Sequence, residues 1–229
     1  MECLKKKEFC SPTAPEKMEE FFVSRLDIYE HHMLREAAGV AEGYKVLAGY
    51  VPADTQTLLD LGCGTGLELE EIFKRCPNAR VTGIDLAKAM LDKLREKYAG
   101  KQVELICASY LGYDFGTHTY DAAVSCETMH HLSYGEKLAL YSNIHKALKP
   151  GGRYIECDYM AESQEEEARL SAQSRRIRAE HGIPKGELYH FDTPLTAQNQ
   201  IKLLTQAGFA LAEKLWRTGS TTIIVAQKP

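Results

Sequence analysis

Thr57-Leu58-Leu59-Asp60-Leu61-Gly62-Cys63-Gly64-Thr65-Gly66 decides the fold: a short run of buried-strand character leads straight into three glycines spaced one residue apart. Leu67 to Arg75 then follows with helical periodicity and ends before Pro77-Asn78. A glycine turn between strand and helix is where an open parallel sheet brings its backbone close to a ligand, since glycine permits tight geometry and leaves no side chain in the way. Dinucleotide sites use G-x-G-x-x-G, with the helix N-terminus facing a pyrophosphate. Here the third glycine comes one residue early. Asp60, just ahead of the turn, would repel a diphosphate and suits a positive amino group instead. Asp85 lies nineteen residues beyond Gly66, at the end of the next strand, where a carboxylate can take the two hydroxyls of a ribose. Both acids also have a plainer reading, as helix N-terminal charge or turn chemistry.

Outward from this turn the chain keeps a strand–helix rhythm. Ala79 to Asp85 reads as a second strand, and Ala87 to Tyr98, with Met90, Leu91 and Leu94 at helical spacing, as a second helix ended by Gly100. Val103 to Cys107 and Tyr120 to Cys126 are the third and fourth strands. A helix from Gly135 to Leu148 stops at Lys149-Pro150-Gly151-Gly152, and Arg153 to Cys157 is the fifth strand. Repeated units of this kind imply right-handed crossovers and a doubly wound, largely parallel sheet covered on both faces. Further on, Glu162 to Glu180 reads as a polar helix, with Glu165 four residues before Arg169. Thr196 to Ala207 is a last helix capped by Gly208. Ala210 to Trp216 and Thr221 to Ala226, separated by Arg217-Thr218-Gly219-Ser220, fit an antiparallel hairpin at one sheet edge.

The whole reads as one domain, 1–229. An N-terminal helical lid or flank (1–50) precedes the core (51–160), a cap-like insertion (161–195), and a final helix with its edge hairpin (196–229). Phe21, Phe22, Leu26, Ile28, Tyr29, Met33 and Leu34 suggest that the N-terminal part is an aromatic-rich helix. With 229 residues, 44% of them hydrophobic, the chain can bury one large core. No apolar run approaches the ~20 residues of a membrane span. Met1-Glu2-Cys3-Leu4-Lys5-Lys6-Lys7 has a basic cluster with no apolar stretch after it, so a cytosolic location without a secretory signal is expected. Seven cysteines (Cys3, Cys10, Cys63, Cys76, Cys107, Cys126 and Cys157) contain no Cys-x-x-Cys pair. Cys63, Cys107, Cys126 and Cys157 fall in or beside apolar runs and read as reduced core thiols. The net charge of −4 argues mildly against a nucleic-acid footprint.

Residues 57–160 resemble the class I S-adenosylmethionine-dependent methyltransferases, especially the small-molecule branch that includes ubiquinone/menaquinone-biosynthesis-like enzymes. Leu58 to Gly66 looks like the family's first motif, and Gly83-Ile84-Asp85-Leu86 with Met90-Leu91 its second. Tyr120-Asp121-Ala122-Ala123-Val124-Ser125 with His130-His131-Leu132 looks like the fourth-strand motif, and Leu148-Lys149-Pro150-Gly151-Gly152 like the turn into the fifth strand. Leu195-Thr196 through Ala207-Gly208-Phe209 is similar to the helix before the family's final hairpin. The resemblance implies a Rossmann-like, seven-stranded sheet with one antiparallel strand and S-adenosyl-L-methionine as cofactor. It implies that Asp60, Gly62, Gly64 and Gly66 hold the methionine end, Asp85 the ribose, and that Leu86 packs on the adenine. Cys63, Met90 and Cys126 complete the implied set, and Tyr29 in Asp27-Ile28-Tyr29-Glu30 looks like the family's lid tyrosine. Where the family often has Gly-Asp reaching the adenine amine, this chain has Ala108-Ser109, so that contact falls to Ser109 or to backbone groups.

The fourth strand runs into Cys126-Glu127 and the loop Thr128-Met129-His130-His131. Methyl transfer is an in-line displacement, so the protein aligns the acceptor and removes its proton where required. His131 is the candidate base, or else packs against the cofactor or caps the next helix; His130 is the weaker candidate. Glu156 and Asp158 share a face of the fifth strand and, with Tyr159 and Tyr189-His190-Phe191-Asp192, are candidates to line an acceptor pocket. No local spacing supports a metal site from His131, Asp158 and His190, and no metal is expected. Arg169, Arg175, Arg176 and Arg178 give the polar helix a basic end, either solvated or capping an acidic substrate or RNA. The expected function is methyl transfer to a small-molecule acceptor by a monomer or homodimer. The rivals are a tRNA or protein methyltransferase and a non-catalytic S-adenosylmethionine-binding regulatory protein.

Overall fold

The structure, a computed structural model, describes residues 14–229. The basic cluster at Lys5 to Lys7, Cys3, Cys10 and the first part of the N-terminal flank lie outside the described residues.

Among the described residues seven strands form one sheet in the order β3-β2-β1-β4-β5-β7-β6. They are β1 (Thr57–Leu61), β2 (Arg80–Asp85), β3 (Val103–Cys107), β4 (Tyr120–Cys126), β5 (Leu148–Tyr159), β6 (Leu211–Thr218) and β7 (Thr221–Gln227). The first five run parallel, and β7 is antiparallel to both β5 and β6. Strand order reverses between β1 and β4, which opens a crevice beyond their carboxyl ends.

Helices cover both faces. On one side α3 (Val40–Tyr50), α4 (Leu69–Arg75) and α5 (Lys88–Lys97) pack with Leu58, Val81, Val124 and Ile155. On the other, α6 (Tyr134–Ala147) and α8 (Ala197–Gln206) pack with Leu59, Leu61, Ile84 and Tyr154. This in–out alternation along β1 is the period-2 pattern of a strand buried on both faces. The polar α7 (Gln164–Glu180) is capped by Ser163, whose hydroxyl accepts from the Glu166 amide, and lies outside these layers. No helix among the described residues is long and apolar enough to cross a membrane.

Four local readings change. The N-terminal aromatic stretch is two helices, α1 (Met18–Ser24) and α2 (Leu26–Arg35), broken at Arg25, not one. The strand expected from Arg153 begins at Leu148: Lys149-Pro150-Gly151-Gly152 bulges within β5, its partners jumping from Tyr120↔Leu148 to Ala122↔Arg153. The final turn is only Gly219-Ser220, because Arg217 and Thr218 stay paired with Thr222 and Thr221. Cys107 is exposed where β3 forms the sheet edge, whereas Cys63, Cys76 and Cys157 are buried; all five described cysteines are free thiols.

Helix α3 offers a paired test of packing against propensity. A Cβ at Gly43 would lie 2.8 Å from Cys157 Sγ, whereas one at exposed Gly49 meets nothing within 4 Å. Gly43→Ala should destabilise by about 1–3 kcal/mol through overpacking. Gly49→Ala should stabilise by about 0.5–1 kcal/mol through backbone entropy. Urea unfolding of both variants reads the opposite signs; equal shifts would refute this account of the interface.

Candidate active site

The glycine turn is held from below by β2. Gly62 and Cys63 amides donate to Ile84 O at 2.8 and 3.3 Å, and the Gly64 amide donates to Asp85 Oδ2 at 2.9 Å. The second Asp85 oxygen accepts from the Ala87 amide at 2.8 Å, so the same carboxylate also shapes the entry to α5. Each oxygen keeps acceptor capacity for a ligand hydroxyl. Gly62 has φ +68°, and a Cβ there would lie 2.6 Å from Thr128 Oγ1, so this position tolerates only glycine. Gly64, with φ +49°, instead faces Tyr29 of α2, whose hydroxyl would sit 3.5 Å from an added Cβ.

Behind the turn lies an electrostatic problem. Asp60 is fully buried, and no N–H or neutral hydroxyl donates to its oxygens, which face another carboxyl instead. Glu68, also buried, is its neighbour. Burial and the Glu68 charge together push the Asp60 carboxyl well above its usual range. Burial also raises Glu68 and, against the amide bonds it accepts, Asp85. Orphaned buried carboxylates are costly, and a bound cation relieves that cost. A positive group brought against this pair of acids would relieve it.

A cavity of about 40 Å³ opens at this point, lined by Gly62, Asp85, Leu86, Tyr110, Thr128 and His131, among others. Met18, Glu19 and Phe22 of α1 roof it, and at that size it admits no nucleoside while they stay in place. The structure thus brings Gly62, Asp85, Leu86 and His131 to one wall. Met90 is buried in α5, and Cys63 packs beneath Gly83. Cys126 is half-buried at the end of β4, among residues packed against Met33, Val40 and Tyr44. Ala108 gives its amide to Asp85 O, and Ser109 Oγ accepts from the Leu111 amide, leaving its own proton free to donate. Sequence reasoning missed Glu19, Leu188 and Tyr110, whose hydroxyl meets Thr128 Oγ1 at 3.0 Å. Only the fold brings them near the turn; no local pattern marks them.

The loop after β4 is a 3₁₀ turn, Met129–His131, fixed by the Ser133–Glu136 capping box that starts α6. His131 and His130 differ sharply. His131 lines the cavity, and its Nδ1 lies 3.2 Å from Phe191 O. A carbonyl only accepts, so the neutral ring carries its proton on Nδ1. Burial and the neighbouring His130 hold His131 well below its ordinary pKa. His130 Nδ1 lies 2.5 Å from Asp158 Oδ1. Burial alone would lower His130, but Asp158 overrides it and lifts the ring to about 9. Glu127, at φ +49°, is raised to about 8 by burial and by Asp158.

Glu156 points into a different setting from Asp158. Tyr141, Tyr154 and Gln200 all donate to it in the core, so its oxygens are taken. Burial and Asp158 raise it to about 7. The 189–192 segment packs across both histidines: His190 stacks on Phe21 at 3.5 Å, and Asp192 Oδ1 lies 3.5 Å from His131 Nδ1. Beyond it a cleft of about 340 Å³ runs under α7, between Leu170, Ser174 and Ile177 and the strip His190-Phe191-Asp192. Of the α7 arginines, Arg176 pairs with Glu180 at 3.7 Å and Arg178 lies over the Phe191 ring.

Comparison with known proteins supplies the remaining observation. The sequence pattern of a methyltransferase domain matches residues 58–152. A carboxy-S-adenosyl-L-methionine synthase of Trichodesmium erythraeum is 30% identical over 185 residues, covering 75% of this chain and 72% of that protein. An O-methyltransferase of Penicillium expansum is 28% identical over 71% of this chain, and a cypemycin N-terminal methyltransferase of a Streptomyces species 32% over 58%. The chain spans a little over half the length of these last two, 55% and 53%. In fold it is similar to an O-methyltransferase family protein of Burkholderia thailandensis, with a TM-score of 0.70 and 18% identity over 99% of this chain and 70% of that one. A 1,6-didemethyltoxoflavin-N1-methyltransferase from the same species, solved with its acceptor and S-adenosylhomocysteine, gives a TM-score of 0.64 and 20% identity over 92% and 87%.

Asp60→Asn should make the unliganded protein more stable near pH 8, by on the order of 1 kcal/mol, since the amide needs no proton. The wild-type contribution of Asp60, whose pKa is raised on folding, is fully present below the unfolded carboxyl range and is lost as pH rises through the raised value. Chemical denaturation from pH 5 to 9 should therefore show a flatter profile for the variant; parallel profiles would remove Asp60 as the source.

Proposed function

The chain belongs to the class I S-adenosylmethionine-dependent methyltransferase family, and from that premise we propose that it transfers the methyl group of S-adenosyl-L-methionine to a small-molecule acceptor. The membership is at the level of the class; the ubiquinone/menaquinone-like branch is a finer reading that the matches do not single out. The observation that carries the proposal is Asp60: a buried carboxyl that meets another acid, Glu68, and no ordinary donor, set beside a glycine turn whose Gly64 amide Asp85 has fixed. Asp60 would receive the cofactor's ammonium, and Asp85 the ribose hydroxyls. Leu86 would pack on the base, and Tyr29 would close over the turn.

When bound, the cofactor supplies a sulfonium methyl group that passes to a nucleophile by in-line displacement. The residues of the chain do the rest. His131, protonated on Nδ1 toward Phe191 O, keeps the Nε2 lone pair to take a proton from an acceptor hydroxyl or amine. The cleft under α7 has the volume of a small-molecule site and reaches the histidines through Asp192. Apolar Leu170, Ile177 and Phe191 would hold the body of the acceptor, and Phe22 with Met18 would shed water from the reacting end. Support for a small acceptor also comes from the relatives named above, one solved with a small heterocycle bound. We read the working protein as cytosolic, as its N-terminal sequence suggests.

Isothermal titration should show micromolar binding of S-adenosylmethionine and of its demethylated product, weakened at least tenfold in Asp85→Asn and in Asp60→Asn. Because burial and the Glu68 carboxyl hold Asp60 well above its usual range, affinity for the cofactor should rise with pH through the window in which Asp60 ionises. No binding, or tight binding of a nicotinamide dinucleotide instead, would sink the reading. In a screen of phenols, amines and carboxylates, His131→Gln should lower kcat by roughly 10²-fold or more while leaving the cofactor Kd within about twofold. Methyl label appearing in bulk tRNA, or binding without turnover of any acceptor, would move the assignment to a tRNA enzyme or to a regulatory protein.

A further inference from the structure

Glu127, His130 and Asp158 come from two separate pieces of chain: the loop that leaves β4 through the 3₁₀ turn, and the end of β5. They bring two carboxylate oxygens and a ring nitrogen to within 4.8 Å of one another. His130 Nδ1 is 2.5 Å from Asp158 Oδ1 and 4.0 Å from Glu127 Oε2. The side chains are almost closed off from solvent, 12% exposed for Glu127, 9% for His130 and 2% for Asp158. Asp158 Oδ2 is buried with no hydrogen-bond partner at all. Two acids thus converge on one imidazole, and one of their oxygens is left without a donor. Three such ligand atoms this close together suit a single compact cation.

A second feature points the same way. The other ring nitrogen of His130, Nε2, faces Asp192 Oδ1 at 3.7 Å. An imidazole that binds a metal through one nitrogen commonly gives the N–H of the other to a carboxylate, which fixes its tautomer and strengthens it as a ligand. We propose that Glu127, His130 and Asp158 bind one divalent transition-metal ion, Zn²⁺ or Mn²⁺ being the class that one imidazole and two carboxylates select. The ion would replace the proton now lying between His130 Nδ1 and Asp158 Oδ1, and Asp192 would hold the ring from behind. Three protein ligands leave coordination positions open. His131 is the next residue along and lines the cavity, so an acceptor oxygen could take one of those positions. That last use rests on the methyl-transfer reading; the site itself does not.

The test uses the full chain, stripped with a chelator, dialysed, and titrated calorimetrically with ZnCl₂ and with MnCl₂ in the absence of cofactor. One equivalent per chain is expected, with affinity lowered at least tenfold in Glu127→Gln and in Asp158→Asn, and less in Asp192→Asn. Pulsed EPR of the Mn²⁺-loaded protein should show coupling to an imidazole nitrogen that disappears in His130→Gln. Circular dichroism and melting temperature check each variant; should Asp158→Asn fail to fold, Glu127→Gln, the less buried position, decides. No saturable binding, or unchanged stoichiometry and affinity in Glu127→Gln, would overturn the site. S-adenosylmethionine binding is titrated separately on the same stripped protein, so loss of the metal site and loss of the cofactor reading give different results.

Discussion

One carboxylate sets the geometry on which the rest of the crevice depends. Asp85 ends β2, and its two oxygens are shared between the amide of Gly64, twenty-one residues back in the chain, and that of Ala87, two residues ahead. The first bond fixes the turn after β1, and the second fixes the start of α5. Gly62 in turn is pressed against Thr128, which links the same turn to the loop after β4. Three strand ends are thereby locked together at the place where the strand order reverses. Hydrogen bonds to a charged acceptor contribute roughly 1.5–3 kcal/mol each, enough to hold a glycine turn in a conformation that its flexible residues would otherwise leave.

The crevice is also where the fold gives up stability. Asp60, Glu68 and Asp85 are all raised by burial, and Asp60 has no donor to offset it. A few residues away the acids Glu127, Asp158 and Asp192 surround His130. The apolar layers on both sheet faces, built from residues such as Leu58, Leu61, Ile84 and Val124, supply the burial that makes such a concentration of acids tolerable. A carboxylate with its donors in place lies deeper: Glu156 takes three, from Tyr141, Tyr154 and Gln200, and is spent on structure. The contrast between Glu156 and Asp158, two residues apart on one strand, separates a carboxylate that holds the core from one left with an open oxygen.

What could be read from the sequence was what is local. Strand, glycine turn and helix follow each other within a few residues, so β1 and the turn were legible, as were the capped helix starting at Thr196 and the acid ending β2. Periodicity marked the strands, but not how they end. A proline and two glycines read as a stop, yet β5 carries them as a bulge, because pairing with β4 resumes at Arg153 while Gly151 and Gly152 bond to the backbone of Pro229 and Lys228. The site was legible only where motif and contact coincide. His131 could be ranked above His130 in sequence but their environments could not be read there; these come from Phe191, sixty residues on, and from Asp158, twenty-eight residues on. Tyr110, Glu19 and Leu188 reach the cavity from three distant segments, and no spacing rule connects such positions.

The N-terminal helices are fastened to the far end of the chain. Thr221 Oγ1, in the last strand, donates to Ala38 O at 2.9 Å across 183 residues and approaches Glu127 Oε1 at 3.3 Å. Gly39, which opens α3, leaves no room for a side chain beside Thr218 of the final hairpin. The junction between α2 and α3 therefore waits on the final hairpin for this anchor, while α1 and α2 themselves already meet α5 and the 188–190 segment. Contacts this distant in sequence are slow to form, because the loop between them must be closed first. The roof of the crevice thus takes one of its fixings from the final hairpin, and a chain short of that strand would hold α1 and α2 less firmly over its acids and glycine turn.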